Sequence, residues 1–340
     1  MRNKGKILVT GGAGYIGSHT IIELLDAGYD VVSVDNFVNS SPKTFDRIKK
    51  ITGVQVKNYN LDLCYTDKLI AVFKKEKNIS GIIHFAALKS VPESVAEPVR
   101  YYGNNIGSLL SVLSVAEKFH VRKFVFSSSC SVYGDVTKLP VDESTPFGIP
   151  ASPYATTKQM GEQMLLDFAR TNKNFHSVAL RYFNPAGAHT SGILGELPAG
   201  RPTSVVPNIT QTAIGILKPP MKIFGDSYQT RDGSCIRDYV HVSDIARAHV
   251  LALAKMKSNF DIINLGTGRG VTVLELVRAF ERANNIKLSY KITKPRPGDV
   301  PAVYASNKKA IKVLGWKAVY SLDEMLRSAW RWEYSLRNKK

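Results

Sequence analysis

Short apolar runs alternate with longer amphipathic stretches through the first half of the chain. Lys6–Thr10, Asp30–Asp35, Gln55–Asn60, Gly81–Ala86, Lys123–Ser128 and His176–Phe183 read as strands. Between them, Ile16–Ala27, Lys68–Lys75, Asn104–Phe119 and Pro153–Arg170 repeat apolar residues at three- and four-residue spacing, which predicts helices. This alternation implies βαβ units and an α/β fold with a doubly wound, Rossmann-type parallel sheet. The pattern breaks after Asn184. Residues from Pro185 to Pro220 are rich in Gly and Pro and read as loops leading into a smaller α/β lobe. A later strand, Asp261–Leu265, runs into Gly266-Thr267-Gly268, and a helix over Val273–Asn284 follows.

Composition narrows this picture. Over 340 residues, 44% are hydrophobic and 22% charged, enough for a globular protein with a sizeable core. The apolar run Ile7-Leu8-Val9 is too short for a secretory signal, and no stretch approaches the ~20 apolar residues of a membrane span, so a cytoplasmic protein is expected. The cysteines Cys64, Cys130 and Cys235 share no metal-type spacing, and their odd number argues against a disulfide framework. No metal is expected. Lys+Arg 46 against Asp+Glu 28 gives a net charge of +18. The basic residues are scattered, as in Lys49-Lys50, Lys74-Lys75 and Lys308-Lys309, which favours a solvated basic surface suited to anionic small substrates over a nucleic-acid face.

The first strand is followed by Gly11-Gly12-Ala13-Gly14-Tyr15-Ile16-Gly17. Glycines 11, 14 and 17 stand where a strand turns into an amphipathic helix, the context that makes such a pattern informative. They allow a tight turn, close backbone approach to a pyrophosphate and close helix–strand packing, while the helix N-terminus offers free N–H groups. Asp35 ends the second strand near the ~20-residue spacing of the acid that binds a ribose diol. A carboxylate there repels a 2′-phosphate, so NAD is favoured over NADP. Asp62, after the third strand, is placed to reach an adenine or to cap a helix. Phe85-Ala86-Ala87 ends the fourth strand with small residues beside which a ribose can lie.

The fifth strand ends in Ser127-Ser128-Ser129, and Tyr154-Ala155-Thr156-Thr157-Lys158 follows on a predicted helix. Residues four apart share a helix face, so Tyr154 and Lys158 project together. Tyrosine ionises near pH ~10 and is a poor base at neutrality. A nearby ammonium and a nicotinamide cation would both favour phenolate. Ser129 is positioned to hydrogen-bond a substrate hydroxyl and guide its proton.

Nine stretches carry a resemblance that spans almost the whole chain: VTGGAGYIGSHT (9–20), VDNFVNS (34–40), HFAALKSVPESV (84–95), FSSSCSVYGD (126–135), SPYATTK (152–158), LRYFNPAGAH (180–189), IFGDSYQTRDGSCIRDYVHV (223–242), RPGDVPA (296–302) and LGW (314–316). On these the chain resembles the extended short-chain dehydrogenase/reductase superfamily and, within it, the UDP-glucose (UDP-galactose) 4-epimerase family. The resemblance implies an isomerase with tightly bound NAD. The sugar's 4-hydroxyl loses its proton to Tyr154, directly or through Ser129, as hydride leaves carbon 4; the 4-keto sugar turns over and is reduced on its opposite face. It also implies an NAD-binding domain over 1–184, with segments around 235–268 returning to it, and a mainly UDP-sugar-binding lobe over 185–340. A homodimer through the helices Asn104–Lys118 and Pro153–Phe168 is implied as well.

Carried over by position, the implied cofactor contacts are Gly11, Gly14, Tyr15, Ile16, Gly17, Asp35, Asn36, Asp62, Leu63, Phe85, Ala86, Ala87, Lys89, Asn104, Ser127, Tyr154, Lys158 and Phe183. Phe183 resembles the ring flanking the nicotinamide, and Lys89 a contact near the pyrophosphate and substrate. Implied substrate contacts are Lys89, Ser129, Tyr154, Asn184, Ser204, Val205, Phe224, Arg237, Arg296, Asp299 and Val303. An arginine fork suits phosphate oxygens; a salt bridge with Asp238 is the plainer use of Arg237. Two positions depart from the pattern. Ser204-Val205 stands where Asn-Leu is expected near a uracil, and Val303 stands where members restricted to plain hexoses tend to carry tyrosine. The smaller side chain implies room for an N-acetyl group, hence UDP-GlcNAc and UDP-GalNAc as further substrates.

Three other readings bear on the same residues. A 4,6-dehydratase needs an acid–base pair, and its Thr-Asp-Glu stretch is replaced here by Ser129-Cys130-Ser131-Val132-Tyr133. A UDP-glucuronate 4-epimerase needs only local basic residues for its substrate's carboxylate and stays open. An inactive NAD-binding regulatory protein would keep the fold without chemistry, against which Ser129, Tyr154 and Lys158 all stand intact.

Overall fold

The computed structural model describes residues 4–295 and 299–338. Its chain order opens with β1 (Lys6–Thr10), α1 (Tyr15–Asp26), β2 (Asp30–Val34), α2 (Lys43–Thr52), β3 (Lys57–Tyr59), α3 (Thr66–Glu76) and β4 (Ile79–His84). Then come α4 (Val91–Ala96), α5 (Pro98–Lys118), β5 (Lys123–Ser129), α6 (Pro153–Thr171) and β6 (His176–Tyr182). The second half holds β7 (Asn184–Ala186), α7 (Val205–Ala213), β8 (Met221–Phe224), β9 (Ile236–Arg237), β10 (Tyr239–His241), α8 (Val242–Lys255) and β11 (Phe260–Leu265). It closes with β12 (Val271–Thr272), α9 (Val273–Asn284), β13 (Tyr290–Thr293), β14 (Ala302–Val303) and α10 (Leu322–Arg337).

Seven strands form the main sheet in the order β11-β6-β5-β4-β1-β2-β3. All its pairings are parallel. Strand order reverses between β1 and β4, the topological switch point at which such sheets open a crevice beyond their carboxyl ends. Alternation along β1 sends Ile7 and Val9 into the core beneath α1 and α8, and Leu8 into the opposite core with α3 and α5. Fully buried side chains such as Leu8 and Phe124 are each worth about 1.5–3 kcal/mol of burial. A third core joins α7, α9 and α10 through Ile209, Val277, Phe280 and Leu326. Capping boxes start both α9 (Thr272 with Glu275) and α10 (Ser321 with Glu324). Among the described residues, no helix is long and apolar enough to cross a membrane.

The predicted strands are found, with ends shifted by up to two residues. Two expectations change. The loop-like stretch Pro185–Pro220 takes in the end of β7 and all of α7. The α7 sequence, VVPNITQTA, is β-branched and carries a proline, so its intrinsic helix tendency is low; burial of Val206, Ile209 and Thr210 overrides it. The helix expected from Asn104 begins earlier, at Pro98, where proline suits the first turn and Tyr101 is buried.

Candidate active site

The crevice at the switch point is shaped by backbone. Gly11 has φ +69°, and a Cβ there would stand 2.8 Å from the Ala86 nitrogen. A Cβ on Gly17 would meet the Gly11 carbonyl, so the first turn of α1 packs directly on the loop. Gly14, the N-cap of α1, provides no side-chain cap, and the helix's first turn carries no acid. That end therefore presents open N–H groups and a positive dipole, which suits phosphate. Tyr15 ties the turn to the second half by donating its hydroxyl to the Gly187 carbonyl at 2.6 Å.

Asp35 stands at the end of β2 with its carboxylate against this turn. It accepts from the Ala13 N–H at 2.9 Å, the Phe37 N–H at 2.9 Å and the Ser40 hydroxyl at 2.7 Å. Ser40, Thr44 and Arg47 continue the cleft, facing Leu194 and Leu197. An open glycine cradle, an uncapped helix end and a fixed carboxylate fit a dinucleotide with a free ribose diol. Asn36 accepts from the Val38 N–H, and Asp62 from the Cys64 N–H, leaving one Asp62 oxygen outside that turn. Leu63 is buried in the apolar core, and Ile16 packs on the other core. Half-buried Phe85, Ala86 and Ala87 follow β4. Lys89 is mostly exposed and forms an ion pair with Glu196 at 3.0 Å.

At the end of β5, Ser129 meets Tyr154. Ser152 caps α6 and Pro153 opens it, which puts Tyr154 in the first turn, near the positive end of the helix dipole. The Ser129 oxygen accepts from the Ser131 N–H at 3.2 Å. The same hydroxyl interacts with both the Tyr154 phenol and the Cys130 thiol. Burial pushes the Tyr154 phenol up to about 12; the Ser129 hydrogen bond opposes that rise. Burial also pushes the Lys158 ammonium down to about 8, with Glu162 acting to keep it charged. Lys158 donates to the Ser127 carbonyl at 2.7 Å and lies 5.7 Å from the Tyr154 ring centroid. The Ser127 hydroxyl is hydrogen-bonded to that of Tyr182. Cys130 sits within electrostatic reach of both Tyr154 and Arg237, and burial raises its thiol to about 12, so it stays neutral.

Of the residues expected to meet a UDP-sugar, Asn184, Phe224, Arg237 and Val303 lie on the small strands beyond β6. Phe183 and Val303 share a buried cluster with Val132, Tyr133 and Val141. Val303 pairs with Arg237 across β14 and β9. Arg237 donates to the Val300 carbonyl at 2.8 Å and lies 3.8 Å from the Asp299 carboxylate. The plainer partner proposed for it, Asp238, is engaged elsewhere: that buried carboxylate accepts from Thr267, Gly268 and Ala305. Asn184 leaves its buried side-chain oxygen without a partner among the described residues. Ser204 is the N-cap of α7 and makes no side-chain capping hydrogen bond, half-buried Val205 packs behind it, and Phe224 ends β8. Arg296 lies outside the described residues.

Buried Asn105 was not anticipated. It accepts from the Leu88 N–H at 2.8 Å and donates to Thr157 at 3.1 Å, joining the loop after β4 to α6 beside Lys158, while Asn104 donates to it at 2.9 Å. Its one sequence signal is an amide on the apolar side of α5.

Residues 7–266 match the NAD dependent epimerase/dehydratase family. The chain is 47% identical to UDP-glucose 4-epimerase of Pasteurella multocida over 329 residues, covering 96% of this chain and 97% of that one. Among solved structures, UDP-glucose-4-epimerase from Stenotrophomonas maltophila with bound NAD and formylated UDP-arabinopyranose superposes with a TM-score of 0.94 at 42% identity, covering 98% of each chain. UDP-glucose 4-epimerase from Bifidobacterium longum in complex with NAD+ and UDP superposes with a TM-score of 0.93 at 46% identity, again over 98% of each chain. With the family match covering residues 7–266 and 47% identity to a full-length relative, this chain belongs to the NAD dependent epimerase/dehydratase family.

Proposed function

We infer that this protein is a UDP-hexose 4-epimerase that interconverts UDP-glucose and UDP-galactose through a 4-keto sugar with tightly held NAD. The observation that carries the reading is the meeting of Ser129, Tyr154 and Lys158 at the carboxyl end of β5, beside the switch-point crevice. In this reading the glycine turn and α1 N-terminus hold the pyrophosphate, Asp35 the adenosine ribose, and Lys158 the nicotinamide ribose. Bound NAD supplies the acceptor and donor of the hydride. Tyr154 takes and returns the proton of the 4-hydroxyl, with Ser129 orienting that hydroxyl. Arg237, Asp299, Asn184 and Arg296 anchor the UDP, so the keto sugar can turn without leaving. The unpartnered Asn184 oxygen supports this placement.

The reading divides the chain into an NAD-binding part, 1–184 with the α8–β11 return, and a mainly UDP-sugar-binding part. It includes a homodimer through α5 and α6, on which Leu110 and Met160 are exposed apolar residues. It also includes a cytoplasmic setting, in keeping with three free cysteines. Val303 packs beside Phe183, and a side chain smaller than tyrosine at that position supports UDP-N-acetylhexosamines as further substrates. The test is incubation of purified protein, without added NAD, with UDP-glucose, UDP-GlcNAc and UDP-glucuronate, and chromatography of the products. Formation of UDP-galactose and UDP-GalNAc is expected. Turnover confined to UDP-glucuronate would replace the reading, and no UDP-GalNAc would withdraw its N-acetyl part.

A further inference from the structure

Tyr154, Lys158 and Glu162 fall four residues apart on α6 and share one stripe toward the sheet. The proposed reaction uses the first two; Glu162, which acts to keep Lys158 charged, touches no reacting atom, yet is only 1% exposed. A carboxylate removed from water stays ionised only when paired and hydrogen-bonded. Arg181 on β6 provides both: Nε donates to Oε1 at 2.9 Å and Nη2 to Oε2 at 2.6 Å. Ser128 on β5 donates its hydroxyl to Oε1. Ser128 and Arg181 are register partners across β5 and β6, one residue before the Ser129–Tyr182 pair. One carboxylate therefore links α6 to two adjacent strands immediately below Ser129. The Arg181 guanidinium also lies 4.8 Å from the Tyr133 ring centroid. Tyr133 ends the short turn that leaves Ser129.

Other links between α6 and this region differ in kind. Gly161 packs closely on Phe126 and Leu109, an apolar contact that resists separation but not sliding. Gln159 donates to the Val132 and Gly148 carbonyls, which lie beyond Ser129 in the chain. A two-pronged arginine–carboxylate fork, by contrast, fixes direction as well as distance. Apolar side chains of similar volume commonly stabilise a fold as well as a buried ion pair does. What the pair adds here is register.

We propose that Glu162 and Arg181 are positioning residues that set α6 against β5, and through it the approach of Tyr154 and Lys158 to Ser129. The inference rests on the assignment of those three residues to the reaction. The experiment compares Glu162→Gln, Arg181→Lys, the double variant Glu162→Met/Arg181→Met, and Tyr154→Phe, each as purified holoenzyme. It reads kcat and KM for UDP-glucose together with melting temperature and NAD content. Glu162→Gln and Arg181→Lys are expected to lower kcat about 10²-fold, the cost of a displacement near 1 Å, with KM almost unchanged. The double variant is expected to recover the melting temperature while kcat stays low. Recovery of kcat along with stability, or a wild-type kcat in folded Arg181→Lys, would overturn the proposal and leave the pair a structural support. Arg181→Lys carries the test alone if the double variant does not fold. Near-normal turnover in Tyr154→Phe would instead remove the assignment beneath it.

Discussion

The crevice beside β1 and the cluster of short strands beyond β6 are assembled in opposite ways. On the cofactor side, the glycine turn, Asp35, Ala86 and Ser129 all extend from carboxyl ends of one parallel sheet, with a core on each face. On the proposed sugar side, Asn184, Arg237 and Val303 ride on strands of two or three residues. These gather in space from distant parts of the chain. The first arrangement fixes its groups before any ligand arrives. The second rests on few backbone bonds, so its side chains can change without disturbing the sheet. Chemistry should therefore be intolerant of change on one side and graded on the other.

The largest effect is expected where the two sides meet. Tyr154→Phe removes the proton-carrying group and should lower kcat by about 10³-fold, within the range of general acid–base catalysis, with NAD still bound. Gly11→Ala tests the rigid side. Its new methyl would stand 2.8 Å from the Ala86 backbone nitrogen, so the purified protein should lose most of its NAD, measured by release on denaturation. Full NAD content in that variant would show the crevice to be more yielding than described. Arg237→Ala tests the other side. KM for UDP-glucose should rise about 10²-fold, equivalent to about 3 kcal/mol of charge-assisted hydrogen bonding, while NAD content stays normal.

The smallest effect on chemistry should come from a cofactor-side contact away from the crevice. Burial raises the Glu76 carboxyl, but hydrogen bonds from Lys57, Tyr59 and Lys6 outweigh it and hold the group down at about 2. A carboxyl depressed by folding stabilises above its unfolded value and loses that contribution as pH falls through the folded one. Wild-type stability should thus drop between about pH 4.5 and pH 2, whereas Glu76→Gln should lack that part of the drop. At neutral pH the variant should be less stable by about 2 kcal/mol, with kcat unchanged, as read by urea unfolding and assay.

The same contrast explains what the sequence disclosed. The glycine turn, Asp35 and the Tyr154–Lys158 pair were legible because each is a local pattern whose spacing carries its geometry. The doubly wound sheet was legible because its strands and helices alternate with different periods. Asn105 and the Glu162–Arg181 fork were not, since their partners lie on other elements and only tertiary packing joins them. Helix α7 was hidden by β-branched residues that are helical only because their faces are buried. Arg237 shows a third case: its neighbour in sequence, Asp238, turns away to bind Thr267 and Ala305. Adjacency suggested a pair that the fold does not make.

The central claim is that carbon 4 is oxidised and reduced within one closed site. It is tested most directly with UDP-glucose carrying deuterium at carbon 4, converted by purified protein in ordinary water without added NAD. The account predicts UDP-galactose that keeps the deuterium at carbon 4. Loss of the label to solvent would contradict it, because it would mean that the carbon is inverted by proton exchange and not by a hydride that leaves and returns.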